Sequence, residues 1–223
     1  MDEVRLIEIK EDIMSDNKIH ADDLRILLKE KKTFMMNLMS SPGAGKTSFI
    51  IKTIENLRND IKIGVMEADI DSKVDAEKIA ALGIEAIQLR TGGFCHLDSN
   101  MVAKGLSAMD VDGLDLIIIE NVGNLVCPAE FDTGAIKNVM ILSVPEGDDK
   151  PLKYPLMFTV CDVLILHKTD YLEMSDFNVQ LARERTLTLN PNIQIFEVSS
   201  KTGTGHKEWA AWLKNEVKSF IGS

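Results

Sequence analysis

Apolar residues come along this chain in short runs, each followed by polar or glycine-rich residues and then by a stretch of helical spacing. The runs Phe34–Ser40, 62–68, 86–90, 116–121, Lys137–Ser143, Val163–His167 and Gln194–Val198 have the length and composition of strands. Between them, apolar residues three and four apart predict helices over 46–59, 73–82, 98–109, 152–160, 175–189 and 206–220. Buried-type strands alternating with helices describe an α/β fold: a mostly parallel sheet with helices on both faces, in three layers. Ahead of it, residues 1–32 form a charged lead-in in which Ile19, Leu24, Leu27 and Leu28 are spaced for one helical face. Residues 33–223 then read as one domain. In such a sheet ligands sit beyond the carboxyl ends of the strands. The polar clusters of this sequence fall there.

The first cluster is Ser40-Ser41-Pro42-Gly43-Ala44-Gly45-Lys46-Thr47, at the end of the first run. A strand, a glycine turn and a helix opening on Lys-Thr have the layout of a phosphate-binding P-loop, although Ser40 stands where that pattern begins with glycine. Small residues let the backbone amides of Gly43, Ala44, Gly45, Lys46, Thr47 and Ser48 approach a polyphosphate. Lys46 would reach the β- and γ-phosphates, and the Thr47 hydroxyl would hold Mg²⁺.

Three later clusters fit the same ligand. Residues 67–75 are dense in carboxylates, and Asp69 or Asp75 can complete a Mg²⁺ shell or orient a water. After the apolar run 116–119, Glu120 is placed for a metal-bound water, and Gly123 can offer its N–H to a γ-phosphate. The base-reading segments are His167-Lys168-Thr169-Asp170 and Ser199-Ser200-Lys201-Thr202-Gly203. Asp170 can accept the N1–H and 2-amino group of guanine, a donor pair that adenine lacks. The stem of Lys168 can cover the base and the backbone near Ser200 and Lys201 can donate to it, so GTP and GDP are favoured over adenine nucleotides.

Cys95-His96 and Cys127 lie in loops that belong to the same end of the sheet. Two thiols and an imidazole suit Zn²⁺ or Ni²⁺, yet three ligands do not close a tetrahedral structural site. An incomplete site suits passing a metal on. On spacing alone, isolated cysteines are more often small buried hydrophobes. Cys161 reads as core, the 11 methionines as core filler, and His20 and His206 as surface helix residues.

Bulk properties narrow the partners. A net charge of −10 argues against a nucleic-acid backbone or an anionic membrane. No apolar run approaches the ~20 residues that span a bilayer. The start, Met1-Asp2-Glu3-Val4-Arg5, lacks the flank and apolar core of a secretion signal. Three cysteines do not read as a disulfide framework, so a cytoplasmic location is expected.

These motifs together resemble the HypB family of hydrogenase-maturation GTPases, P-loop proteins related to UreG. The resemblance is carried by 37–47, by Gly93-Phe94-Cys95-His96-Leu97-Asp98, by 120–129 and by 142–155. It implies a slow GTPase that helps insert nickel into [NiFe]-hydrogenase, works with a HypA-type metallochaperone and the large-subunit precursor, and forms a homodimer with GTP. It also implies that Cys95, His96 and Cys127 bind zinc or nickel at the dimer interface, that Glu120 and the segment 69–75 serve Mg²⁺, and that Asp170 reads guanine. The sequence departs from the family at His167, where asparagine is usual, and at Ala68, where glycine is usual. It has no cysteine-rich nickel site or histidine-rich tract at its N-terminus. Two other readings stay open: a metal-binding module with a degenerate nucleotide site, and a urease-type nickel-insertion GTPase.

Overall fold

The computed structural model describes residues 9–69 and 74–222, with side chains from 14 onward except those of 69 and 74–76. Seven strands, β1 (Phe34–Ser40), β2 (Ile63–Asp69), β3 (Glu85–Arg90), β4 (Leu116–Glu120), β5 (Lys137–Ser143), β6 (Val163–His167) and β7 (Gln194–Val198), form one sheet in the order 3-2-4-1-5-6-7. Every neighbouring pair is parallel. The helices are α1 (Ile9–Lys31), α2 (Lys46–Leu57), α3 (Val74–Ala80), α4 (Ser99–Leu106), α5 (Cys127–Glu130), α6 (Lys150–Lys153), α7 (Pro155–Val160), α8 (Val179–Leu189) and α9 (His206–Ile221).

The two-residue period of the strands divides the core. Phe34, Met36 and Leu38 of β1 face Phe49, Ile50 and Ile54 of α2 and Trp209, Leu213 and Val217 of α9. Met35 and its β4 neighbours Ile117 and Ile119 face Leu24 and Leu28 of α1 and Val102 and Leu106 of α4. Farther along that face, Met140, Leu142, Leu164 and Leu166 pack on Met157, Phe158 and Ala182. β1 has no β-branched residue, yet all seven of its residues are buried. Burying each Met or Leu stabilises by roughly 1.5–3 kcal/mol, more than the whole strand-propensity scale of about 1 kcal/mol.

The strand runs match the observed elements closely, and the helices differ where local chemistry intervenes. The helix expected over 152–160 is broken at Tyr154, because Pro155 cannot donate to the preceding turn. The helix expected from 175 starts at Val179, where the Asn178 side chain accepts the Leu181 N–H at 3.0 Å. Asp98 caps α4 in the same way through Met101 at 2.8 Å. On α1 the buried face is Asn17, Ala21, Leu24 and Leu28, while Ile19 is 58% exposed and does not lie on it, and Leu27 stands at its margin. Polar anchors select that rotation. Arg25 pairs with Asp132 at 2.6 Å, and Asn17 donates to the Asp132 carbonyl and accepts from the Ser99 N–H. Among the described residues, no helix is long and apolar enough to cross a membrane.

Candidate functional site

The carboxyl ends of β1, β4 and β6 build one site. Gly43 and Gly45 hold φ of 75° and 102°, left-handed values that turn the loop from β1 into α2. Lys46 opens that helix, and its ammonium donates to Ser40 Oγ at 3.3 Å. Thr47 Oγ1 donates to Glu120 Oε1 at 3.0 Å. The loop after β4 closes on the phosphate loop at Gly123, where a Cβ would lie 3.0 Å from the backbone N and Cα of Pro42. Glu146 accepts from the Ser143 N–H at 2.8 Å and also takes the Ser41 hydroxyl, so the 3-10 turn after β5 braces the loop from behind. Glu146 had no visible role in the sequence beyond its place in the 142–155 motif.

Next to this loop lies a cavity of about 270 Å³ bordered by Gly45, Ser48, Lys168, Asp170, Tyr171 and Lys201. Lys168 takes the left-handed conformation and donates to the Gly43 carbonyl at 2.7 Å, which lays its stem along the cavity. Asp170 Oδ1 accepts the Ser199 hydroxyl at 2.6 Å, while Oδ2 is buried with no hydrogen bond among the described residues and lies 3.9 Å from the Lys201 ammonium. A buried carboxylate oxygen left without a donor is costly, and a ligand bearing N–H groups would satisfy it. The residue set therefore fits a guanine.

Thr47 and Glu120, a hydroxyl facing a carboxylate, are oxygen donors of the kind Mg²⁺ takes. Asp69 and Asp75, proposed from sequence for the same ion, have side chains outside the described residues.

The second cluster is sulfur and nitrogen. One potential ligand atom from each of Cys95, His96 and Cys127 lies within 4.8 Å of the others. Cys95 Sγ donates to Cys127 Sγ at 2.7 Å and lies 3.9 Å from His96 Nδ1. Phe131 stacks on the His96 ring at 3.8 Å, fixing its plane. Burial lowers the His96 pKa against the pull of Asp98 and Glu130, which favours the neutral imidazole a metal needs. The Cys127 thiol is raised by its hydrogen bond with Cys95 and then by burial. Two thiols and an imidazole fit zinc or nickel and leave the coordination open. Phe94 and Val126, beside the two cysteines, are 57% and 51% exposed.

A polar ladder with no signal in the sequence ties the cysteine–histidine loop to the centre of the sheet. Asn121 Oδ1 accepts the N–H groups of Leu97 and Val122 at 3.2 and 2.9 Å, and its amide donates to Asn37 Oδ1 at 3.0 Å. Asn37 in turn donates to Asn138 Oδ1 at 3.1 Å. His206, expected at the surface, is 1% exposed. It lies under Phe49 at the buried start of α9 and contacts Ser200 Oγ at 3.1 Å. Cys161 is buried, as expected of core.

Comparison with known proteins agrees with this arrangement. Residues 34–197 match the CobW/HypB/UreG nucleotide-binding domain. The hydrogenase maturation factor HypB of Azotobacter vinelandii is 44% identical over 212 residues, 95% of this chain and 70% of that protein. Crystal structures of HypB from Helicobacter pylori, in complex with nickel, and from Archaeoglobus fulgidus superpose with TM-scores of 0.87 and 0.85. They are 36% and 38% identical; the first match covers 92% of this chain and 96% of the other, the second 91% and 99%.

Proposed function

The chain belongs to the HypB family of hydrogenase maturation factors, and on that footing we propose that it is a GTP-hydrolysing metallochaperone that assists nickel insertion into [NiFe]-hydrogenase. The observation that carries this reading is the Thr47–Glu120 pair and the Cys95–His96–Cys127 cluster at one rim of the sheet, with Glu120 and Asn121 adjacent in sequence.

In this reading the amides of Gly43 to Ser48 and the Lys46 ammonium cradle the β- and γ-phosphates, and Asp170 with Lys168 holds the base. Thr47 and Glu120 hold Mg²⁺, with Asp75 or Asp69 as a further carboxylate. Held by those residues, Mg²⁺ would supply charge neutralisation for the transferring phosphoryl group. Glu120 orients the attacking water, and Gly123 offers its N–H to the γ-phosphate. Among the described residues no arginine or glutamine completes the site, so unassisted turnover is slow, ~10⁻⁴ to 10⁻² s⁻¹. Steady-state hydrolysis above about 1 s⁻¹ without a partner would contradict this mechanism.

Nickel is the cargo, and the three-ligand cluster receives it or zinc. Exposed Phe94 and Val126 give the open side an apolar collar, which fits a second copy closing over it in a GTP-bound homodimer. The client is the hydrogenase large-subunit precursor, with a HypA-type metallochaperone as donor, in the cytoplasm. Residues 33–223 act as one domain with 1–32 as its lead-in.

Metal content and sedimentation of the wild type and Cys127→Ala, each with GDP and with a non-hydrolysable GTP analogue, test this. The variant should lose the metal, and its dimer should no longer respond to nickel or zinc. Unchanged metal stoichiometry would remove Cys127 from the site.

A further inference from the structure

His167 ends β6 where the family usually has asparagine, and its ring is buried between the two halves of the nucleotide site. Nδ1 lies 2.9 Å from the Ala44 carbonyl of the phosphate loop. A carbonyl can only accept, so Nδ1 carries the proton. Nε2 of the neutral ring is then a lone pair, and the Ser200 hydroxyl 2.7 Å away must donate to it. With its proton committed, Ser200 Oγ accepts from His206 Nε2 at 3.1 Å. That leaves His206 Nδ1 as a buried lone pair with no hydrogen bond. Every donor in this chain has one direction: His206 to Ser200, Ser200 to His167, His167 to Ala44.

The packing leaves the ring little freedom. A Cβ on Gly45 would lie 2.7 Å from His167 Cε1 and 2.9 Å from Nδ1, so the phosphate loop rests directly on the imidazole. The Phe49 ring meets the imidazole edge to face, with centroids 6.0 Å apart. Lys168, the next residue, takes the adjacent Gly43 carbonyl at 2.7 Å. Consecutive residues of one strand end thus hold consecutive carbonyls of the phosphate loop.

We propose that His167 is a positioning residue that joins the phosphate loop to the base-side loop, holding Ala44 with one ring nitrogen and Ser200 with the other, so that seating a base beside Ser200 also sets the phosphate cradle. This rests on the guanine-nucleotide reading above. Burial lowers the pKa of both rings, that of His206 to about 4, which keeps the chain in its neutral, directional form. The charged groups around it are Lys168 and Asp170 on the strand end and Lys52 and Glu55 of α2.

Calorimetric titration of Mg-GDP into the wild type, His167→Leu, His167→Asn, Ser200→Ala and the His167→Leu/Ser200→Ala double variant tests the bridge. His167→Leu should weaken GDP roughly 10- to 100-fold, because it orphans Ala44 and Ser200 together. His167→Asn, whose amide can donate to Ala44, should stay within about 3-fold of wild type. Ser200→Ala alone should cost about 10-fold and add little to His167→Leu, the signature of a shared path. Wild-type affinity in His167→Leu, or losses that multiply in the double variant, would overturn the bridge. Nitrogen NMR of the imidazoles gives an independent reading: His167 should be the Nδ1–H tautomer and His206 the Nε2–H tautomer, and the reverse at His167 would overturn it. Wild-type protein that binds neither GDP nor ADP would overturn the bridge and the proposed function together. Wild-type protein that binds GDP alongside an unaffected His167→Leu would overturn the bridge alone.

Discussion

Glu120 and Asn121 are consecutive at the end of β4, and each grips a different element: Glu120 Oε1 takes the Thr47 hydroxyl at 3.0 Å, and Asn121 Oδ1 takes the Leu97 N–H at 3.2 Å. Successive side chains of a strand point to opposite faces. One strand end therefore reaches the start of α2 on one side and the cysteine–histidine loop on the other.

Asn121→Ala should separate stability from metal ligation. It removes three hydrogen bonds at a fully buried position and leaves the Asn37 side chain and two backbone N–H groups short of a partner. Unsatisfied buried groups of this kind cost about 1–3 kcal/mol each, so a loss of roughly 2–4 kcal/mol in urea denaturation is expected after partial relaxation. Zinc or nickel affinity, measured by competition with a chromogenic chelator, should fall as well, because the loop at 95–97 loses its anchor. Cys95→Ala, in contrast, should abolish metal retention and leave metal-free stability nearly unchanged. Equal stability losses in the two variants would refute this division.

Glu120→Gln keeps the volume of the side chain and an oxygen for the Thr47 hydroxyl, but not the charge. Nucleotide affinity should stay within a few-fold, whereas single-turnover GTP hydrolysis should fall about 100-fold or more, the usual worth of a placed general base or water-orienting carboxylate. A variant that hydrolyses GTP at the wild-type rate would exclude Glu120 from the reaction.

Asp170→Asn tests the base. Its buried Oδ2 is the acceptor left open in the cavity, and an amide there presents a donor to guanine's donors. Hydrogen bonds to a charged group are worth about 1.5–3 kcal/mol, so GTP affinity should drop by roughly 10- to 150-fold. Xanthosine triphosphate, which carries a carbonyl at that edge, should gain. Competition of both nucleotides against a fluorescent GDP analogue reads the exchange, and an unchanged preference for GTP would take Asp170 out of the base site.

The sheet is legible because its inner strands are apolar runs buried on both faces, and because polar clusters in such a fold gather at one rim. That rule was enough to suggest that Cys95, His96 and Cys127 share a neighbourhood. It could not reveal the Asn138–Asn37–Asn121 ladder, which exists only because β1 lies between β5 and β4, and strand order is not written in periodicity. Ile19 lies off the buried face because helical spacing alone does not choose between two adjacent rotations; Arg25 and Asn17 choose through Asp132, more than 100 residues away. In the sequence His206 looks like a surface residue, since it opens a helix after a glycine-rich turn. The turn folds back on β7, and the ring ends up beneath Phe49.

That buried His206 makes stability depend on pH in a stated direction. In the unfolded chain a histidine titrates near 6.5. In the fold, burial first, and then the neighbouring His167 and Lys52, lower it to about 4. Above about pH 6.5 the ring is neutral in both states and its contribution is fully present. Between 6.5 and 4 the unfolded chain binds a proton that the folded chain refuses, so stability falls with acid, by up to about 1.4 kcal/mol per pH unit from this residue. Burial shifts His167 in the same direction and adds to the slope. His206→Gln retains an amide donor for Ser200 and removes the titrating group. Its urea midpoint should therefore fall less steeply than the wild type's from pH 6.5 to 4, and the two curves should run parallel above 6.5. Curves parallel across the whole range would show that His206 is not held neutral by the fold.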